Sequence, residues 1–123
     1  MEQKADQDKV HFIEKIVPDT SVLIEGLLSD KIHHNHIKTN QIIIHEAVIA
    51  ELEHQANSNK AIGFLGLDEI KRLKQLSTEK EFEFSFKGAR PKAAEIRNAS
   101  LGEIDSLIRQ LAYDEDATLV TSD

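Results

Sequence analysis

The most constraining feature of this sequence is a run of apolar residues without any polar alternation. The stretch Gln41-Ile42-Ile43-Ile44 places three isoleucines in succession. Because successive side chains of a strand point to opposite faces, this strand must be buried on both faces, as strands in helix-covered parallel sheets are. Lys15-Ile16-Val17-Pro18 and Thr118-Leu119-Val120-Thr121 predict further strands of such a sheet.

Helical patterns alternate with these strands. The apolar residues within 22–28, 45–57 and 67–76 have the spacing of one helix face. Ser100-Leu101-Gly102-Glu103 has the spacing of a capping box, which predicts a helix from about Leu101 to Asp114. Alternating strands and helices predict an α/β fold with a parallel or mostly parallel sheet.

The remaining segments are predicted as loops, a tail and one further strand. Residues 30–40 are polar and residues 57–66 contain two glycines, so both are predicted to be loops, the second with a broken helix as its alternative. Residues 82–86 alternate Phe with polar residues, which predicts an edge strand or a hairpin arm. We expect residues 1–14 to form an N-terminal tail and 15–123 to form the domain.

Composition narrows the classes of function. No apolar stretch approaches the roughly 20 residues of a membrane span, so we expect no membrane partner and a cytoplasmic location. The chain has no cysteine, which excludes disulfides, thiolate zinc sites and cysteine nucleophiles. Its formal net charge of -7 weighs against a domain that grips phosphate backbones by itself. With five Phe and one Tyr, no stacking platform for bases is evident.

Acidic residues follow two of the predicted strands and lie on two of the predicted helices. Asp19 directly follows the first strand and Asp123 the last, and ligands of parallel sheets bind beyond these carboxyl ends. Asp105 borders the apolar arc of its helix, and a cluster of partly buried carboxylates needs a cation such as magnesium or manganese. Singly, Asp19 is equally a favoured helix N-cap and the other two are ordinary surface acids. Periodicity does not choose between Glu51 and Glu53.

Four short motifs carry these acids in order along the chain. They are Val17-Pro18-Asp19-Thr20-Ser21-Val22-Leu23, Ile49-Ala50-Glu51-Leu52-Glu53, Gly102-Glu103-Ile104-Asp105 and Leu119-Val120-Thr121-Ser122-Asp123. In order and spacing they resemble the acidic motifs of the PIN domain family, over about residues 16–123. The closing stretch 102–123 most resembles the N-terminal PIN domain of archaeal ATPases that also carry a PilT-like motor and a KH domain.

This resemblance implies a fold, a site and a cofactor. The fold is a three-layer α/β/α sandwich with a mostly parallel central sheet, and the activity is that of a metal-dependent nuclease using one or two Mg or Mn ions. The acids it implies as catalytic and metal-binding, with Glu51 favoured over Glu53, are Asp19, Glu51, Asp105 and Asp123. The hydroxyl neighbours it implies are Thr20, Ser21 and Ser122.

The resemblance also implies partners. The chain is expected to be a fragment that lacks the last helix and strand of the family fold, and the ATPase and KH modules of a longer chain are expected to supply basic surface. A homo-oligomer is expected, with RNA or branched DNA as substrate. Within the sequence, nucleic-acid contacts are predicted at Lys87, Arg90, Lys92 and Arg97, for which a solvated charged face is the usual alternative.

Other motifs do not carry a function. His33, His34 and His36 are zinc- or nickel-type ligands, but their polar segment predicts a solvated loop. His45 and Glu46 begin a zinc-protease pattern that fails because Ile49 replaces the second histidine. Residues 63–66 have the spacing of a KH-type loop but none of its basic surroundings, which predicts a turn. A phosphate-binding P-loop is absent from the sequence.

Two functions of different classes remain open. The first is a metal-dependent endonuclease acting on RNA or structured DNA. The second is a non-catalytic assembly or nucleic-acid-handling module of a larger ATPase, in which the acids hold structure or a metal. A toxin of a toxin-antitoxin pair is a third hypothesis, because many small PIN proteins have that role.

Overall fold

The computed structural model describes residues 9–122 of the chain, and four parallel strands form its centre. The strands are β1 His11–Pro18, β2 Ile37–His45, β3 Glu83–Lys87 and β4 Thr118–Val120. Their order across the sheet is β3-β2-β1-β4, and each neighbouring pair is parallel. All four carboxyl ends therefore meet at one edge of the sheet.

Six helices connect or flank these strands in the described part of the chain. They are α1 Thr20–Glu25, α2 Leu28–His33, α3 Glu46–Asn57, α4 Ala61–Glu79, α5 Ala93–Asn98 and α6 Leu101–Asp114. The long helix α4 packs against α1, α2 and α3, while α6 packs on β1 and β4. Across residues 9–122, every helix is too short or too polar to span a membrane.

The core confirms that helices cover both faces of the sheet. Ile42, Ile43 and Ile44 are each 0% exposed, although neighbouring side chains of a strand point to opposite faces. Ile16 and Val17 of β1 are also fully buried. The predicted α/β class, with a parallel central sheet between helices, is confirmed.

Of the two predictions for residues 57–66, the broken helix is correct and the loop is wrong for most of the segment. Helix α3 ends at Asn57 and α4 begins at Ala61, so the turn predicted at Gly63 and Gly66 is also wrong. A Cβ on Gly63 would lie 2.3 Å from the backbone nitrogen of Ala56, and one on Gly66 would lie 2.5 Å from Leu52 Cδ2. Both glycines therefore allow α3 and α4 to approach closely, a packing role that sequence pattern alone cannot distinguish from a turn.

The strands β1 and β2 extend further toward their amino ends than predicted. β1 begins at His11, inside the segment predicted as a tail, and β2 begins at Ile37, inside the segment predicted as a loop. The residues they add are mostly exposed, so they lack the apolar pattern that identifies a buried strand. The first part of that predicted loop also proves to be helix α2.

The other elements agree more closely with expectation. β3 is an edge strand paired in parallel with β2, so the hairpin alternative is wrong. Helix α6 has the predicted bounds, and Ser100 Oγ accepts a hydrogen bond from the Glu103 backbone N–H at 3.2 Å, as expected of its cap. Helix α5 was not predicted from the sequence.

Candidate functional site

Asp19 occupies the turn from β1 into α1 and caps the helix. Its Oδ1 accepts hydrogen bonds from the Val22 backbone N–H at 2.9 Å and from Ser21 Oγ at 2.6 Å. Its backbone N–H donates to the Val120 carbonyl at 2.9 Å, which fixes the turn beside the end of β4. Within residues 9–122 the second carboxylate oxygen accepts no hydrogen bond, so the cap uses only part of the carboxylate.

Three of the four predicted acids line one cavity of about 340 Å³ at the carboxyl edge of the sheet. Asp19 comes from the β1–α1 turn, Glu51 from α3 and Asp105 from α6. Apolar walls are contributed by Ile24, Leu52, Ile62 and Ile104, and polar ones by Thr20, Ser21 and Gln55. Among the described residues, no lysine, arginine or histidine lines the cavity. Its charged groups are therefore all anionic.

The structure distinguishes Glu51 from Glu53, which the helical periodicity of the sequence does not. Glu51 lies in the cavity wall, where its Oε1 accepts a hydrogen bond from Gln55 Nε2 at 2.6 Å. Glu53 instead forms an ion pair with Arg90, and the two line a different cavity. The resemblance to the PIN family favours Glu51, and the position of Glu51 beside Asp19 and Asp105 agrees with that choice.

Two oxygen atoms in the cavity wall lack partners. Thr20 Oγ1 and Gln55 Oε1 are buried and form no hydrogen bond within the described residues. A buried polar atom without a partner costs about 1–3 kcal/mol, so each such atom calls for a water or an ion. Hydroxyl and amide oxygens such as these are ligands that hard divalent cations bind.

The cavity fits a divalent cation in its donor chemistry, but its acids do not converge. Within residues 9–122, no three acidic or histidine side chains are close enough to form a complete metal centre. Asp19 and Glu51 are half-buried, whereas Asp105 is exposed, so the expectation of partial burial is wrong for Asp105. The fourth predicted acid, Asp123, lies outside the described residues.

The end of the described chain reaches the Asp19 turn. The Ser122 backbone N–H donates to Ser21 Oγ at 3.4 Å, and the same hydroxyl donates to Asp19. Two of the three predicted hydroxyl neighbours are thus in contact with each other, and the third, Thr20, lines the cavity. β4 and the turn after β1 are joined by this network.

Two of the four basic residues predicted to contact nucleic acid, Lys87 and Arg90, are paired with glutamates. Lys87 Nζ donates to Glu115 Oε1 at 2.6 Å. Arg90 pairs with Glu53 and Glu46, and the hydrogen bond that it donates to Glu53 is the main reason that the pKa of Arg90 is raised above its ordinary value. The other two are Arg97, which shares a cavity of about 260 Å³ with Arg90, and Lys92, which precedes α5.

His45 is a structural residue that the sequence did not identify. It ends β2, is 5% exposed, and its Nδ1 accepts a hydrogen bond from the Ala47 backbone N–H at 2.8 Å. This bond caps α3 and requires a neutral imidazole. Burial lowers the pKa of His45 below its ordinary value of 6.5. The imidazole that begins the failed zinc-protease pattern therefore serves as a helix cap.

The other histidine cluster is exposed. The ring centroids of His33 and His34 are 5.0 Å apart and those of His34 and His36 are 6.1 Å apart. His33 ends α2, so the prediction of a loop is wrong for it, whereas solvent exposure is correct for all three. In the described residues these imidazoles do not form a metal centre.

The fold and this cavity define a class of protein: a parallel α/β domain with carboxylates from three elements gathered at the carboxyl edge of its sheet. The chain belongs to the PIN domain family, whose model matches residues 16–123. The family resemblance stated from the four motifs is confirmed. PIN domains have a nuclease-type fold and generally use divalent metal ions.

Two known relatives of this chain are much longer proteins. The chain is 39% identical over 109 residues to a KH and PIN-domain containing protein of Methanocaldococcus jannaschii, covering 89% of this chain and 17% of the relative. It is 28% identical over 109 residues to the Holliday junction branch migration ATPase PINA of Sulfolobus acidocaldarius, covering 88% and 19%. The chain thus spans less than a fifth of the length of these relatives.

A solved structure shows the same fold. It is a domain of a functionally unknown protein from Methanocaldococcus jannaschii, with a TM-score of 0.83 and 39% sequence identity. The match covers 89% of this chain and 79% of the solved chain. The arrangement of strands and helices described above is therefore shared with an experimentally solved relative.

Proposed function

We propose that this chain is a metal-dependent nuclease module that hydrolyses phosphodiester bonds of RNA or structured DNA. The observation that carries the proposal is the position of Asp19, Glu51 and Asp105, which come from three separate elements and line one cavity that has no basic residue among residues 9–122. Carboxylates that line one cavity repel one another, and a bound cation would offset that repulsion. Family membership supports the same site.

In this proposal Asp19, Glu51 and Asp105 hold one or two Mg or Mn ions together with Asp123, the acid that follows Ser122 in the sequence. Bound divalent ions of this kind stabilise charge on a phosphoryl group and lower the pKa of water. Asp19 is held in place by its two cap bonds, which leaves one carboxylate oxygen for a ligand. The Ser21 hydroxyl orients Asp19 and ties it to Ser122.

The negative charge of this chain bears on how a nucleic-acid substrate would be held. The net charge is -7, and of the four predicted nucleic-acid contacts Lys87 and Arg90 are already paired with glutamates. We therefore propose that further modules of a longer chain, of the KH and ATPase types named in the relatives, help to hold the substrate. The proposal includes self-association of the domain.

The second candidate function is a non-catalytic assembly module of such an ATPase. It is favoured by one observation, that the acids in the described residues do not converge on a complete metal centre. In this case the cavity binds a cation for structural reasons or remains hydrated, and the domain acts through its contacts with the rest of the assembly. The two candidates differ in whether loss of a carboxylate abolishes cleavage.

The test is cleavage of labelled single-stranded RNA and branched DNA by the purified chain with manganese, with EDTA, and in the variants Asp19→Asn and Asp105→Asn. Asn is about as good an N-cap as Asp, so Asp19→Asn removes the charge and should change the free energy of unfolding by no more than about 0.5 kcal/mol. Asp68→Asn is the matched control, because Asp68 is exposed on α4 and does not line the cavity.

The nuclease proposal requires that both cavity variants lose cleavage at least about 100-fold, as expected for removal of a charged group that acts in the transition state, while Asp68→Asn cleaves like the parent. Full activity in both folded cavity variants would reject it. Silence of the folded parent on every substrate, together with self-association measured by light scattering, would favour the assembly module instead.

A further inference from the structure

The amino edge of the sheet, opposite the acidic cavity, carries a group of basic and aromatic side chains. We define the amino-edge patch as Lys9, His11, Phe12, Lys31, His36 and Lys38. All six are exposed. Five of them line one cavity of about 590 Å³, and Phe12 also lines a neighbouring cavity of about 320 Å³ together with Lys38. The patch therefore lies at the amino ends of β1 and β2, with Phe12 lining both cavities.

Strand pairing brings these residues together. Phe12 of β1 lies directly beside Lys38 of β2 in the parallel register, so their side chains share one face of the sheet. The His11 backbone N–H donates to the His36 carbonyl at 2.9 Å, and the His36 N–H donates to the Lys31 carbonyl at 2.8 Å. These backbone bonds fix the relative positions of the patch residues.

The lysines of the patch differ from two of the basic residues that the sequence predicts to contact nucleic acid. Lys87 and Arg90 are paired with glutamates. By contrast, the side chains of Lys9, Lys31 and Lys38 make no ion pair or hydrogen bond within residues 9–122. No acidic residue lines the larger patch cavity among the described residues. Glu81 lines the smaller cavity, and other exposed lysines, such as Lys71, likewise form no ion pair within residues 9–122. The patch is distinguished by three unpaired lysines that lie beside an exposed aromatic ring.

Phe12 adds a feature that a purely electrostatic surface lacks. It is 60% exposed, the highest value for any phenylalanine in the described residues. An exposed aromatic ring among unpaired lysines matches the surfaces that bind single-stranded nucleic acid, where bases stack on rings and cations follow the phosphates. Lysines of this kind pair with phosphates, and an exposed ring of this kind stacks on a base.

We propose that the amino-edge patch binds single-stranded nucleic acid, with Phe12 stacking on a base and Lys9, Lys31 and Lys38 contacting phosphates. Asp19 lies seven residues beyond Phe12 along extended chain, which places the patch roughly 23 Å from the acidic cavity. It is a second contact surface, distinct from the site of cleavage. The inference goes beyond the proposed nuclease function, because this binding requires neither a metal nor the carboxylates.

The experiment measures fluorescence anisotropy of labelled oligouridylate and oligodeoxythymidylate with the Asp19→Asn chain in EDTA, so that cleavage cannot occur. The triple variant Lys9→Gln, Lys31→Gln, Lys38→Gln should raise Kd at least about 10-fold at low salt and reduce the slope of log Kd against log salt by about 2. Phe12→Leu should raise Kd by about 10-fold with little change in slope, because it removes stacking and keeps the charge.

Charge-matched and ring-matched controls are available on α4 and at its start. The triple variant Lys60→Gln, Lys71→Gln, Lys74→Gln removes three exposed lysines elsewhere, and Phe64→Leu removes a ring that is 51% exposed. Both controls should bind like the parent. Circular dichroism verifies that every variant remains folded, which the exposure of the substituted residues favours.

Three outcomes would overturn the inference. The first is equal binding by the patch variants and the control variants. The second is parent Kd values too weak to measure at low salt. The third is displacement of the oligonucleotide by oligoglutamate together with no effect of Phe12→Leu, which would assign the patch to an acidic protein segment. Failure of the nuclease proposal leaves all these measurements unchanged, because they are made without metal.

Discussion

Substitution of Glu69 should reveal how a buried carboxylate holds the helices that follow Asp19. Glu69 of α4 is 0% exposed. Its Oε2 accepts a hydrogen bond from the Ser29 backbone N–H at 2.8 Å, and its Oε1 accepts from Ser29 Oγ at 2.6 Å and from Arg72 Nε at 3.0 Å. Ser29 lies in the first turn of α2, whose N-cap Leu27 offers no side-chain bond. Glu69 therefore caps α2 from another helix.

The expected cost depends on which partners are left unpaired. In Glu69→Leu, the buried N–H and hydroxyl of Ser29 both lose their acceptor, at about 1–3 kcal/mol for each group, so we expect a loss of about 3–5 kcal/mol. In Glu69→Gln, one amide oxygen still accepts from Ser29, and the main loss is the bond to the half-exposed Arg72. That loss should be about 1–2 kcal/mol.

Urea unfolding followed by circular dichroism measures both values, and thermal melts should show shifts of about 3–5 °C for each kcal/mol. Arg72→Lys is the matched variant, because it keeps a positive charge beside the buried carboxylate and leaves Ser29 satisfied. We expect it to cost less than Glu69→Leu. Equal stability of Glu69→Leu and the parent would refute the cap argument, since apolar replacement is harmless only where no buried donor is left behind.

Two further predictions concern α3 and its neighbours. The free energy of unfolding should fall as pH drops below about 6.5 toward the lowered pKa of His45, because the unfolded chain then binds a proton that the folded chain excludes. His45→Asn keeps a cap acceptor without titrating, so the free energy measured by urea unfolding should depend less on pH across that range. An unchanged pH profile in this variant would contradict the argument. Gly63→Ala should lower the free energy of unfolding by about 2 kcal/mol, since overlap with the Ala56 backbone outweighs the roughly 1 kcal/mol gain in helix propensity, and a more stable variant would disprove the close packing.

Elements with a strong apolar pattern could be predicted from the sequence. The isoleucines of β2 require burial on both faces, and Ser100 marks the start of α6 because its hydroxyl satisfies a free N–H. Because Asp19 directly follows a parallel strand, the sequence also predicts that it lies at the carboxyl edge of the sheet. The approach of Asp19 to Glu51 and Asp105 follows from how α3 and α6 pack on that sheet, which periodicity alone does not determine.

Features that depend on a particular neighbour could not be predicted. Gly63 looks like a turn residue in the sequence, and only the backbone of Ala56 beside it explains why a helix needs glycine there. Glu69 has the pattern of a surface residue on a charged helix, yet it is buried because Ser29 needs an acceptor. Lys87 and Arg90 look like a binding surface until their glutamate partners are known.

Asp19 shows why capping and ligand binding are not competing explanations at the carboxyl edge of a parallel sheet. The turn from a strand into a helix leaves free N–H groups, and a carboxylate there is held by them at low entropic cost. Within residues 9–122 only Oδ1 is used in this way, by Val22 and Ser21. The bonds that favour Asp in the cap therefore also fix the orientation of its other oxygen. A structural role and a functional one are expected to coincide at this position, and substitution by Asn separates them because it keeps the first and removes the charge needed for the second.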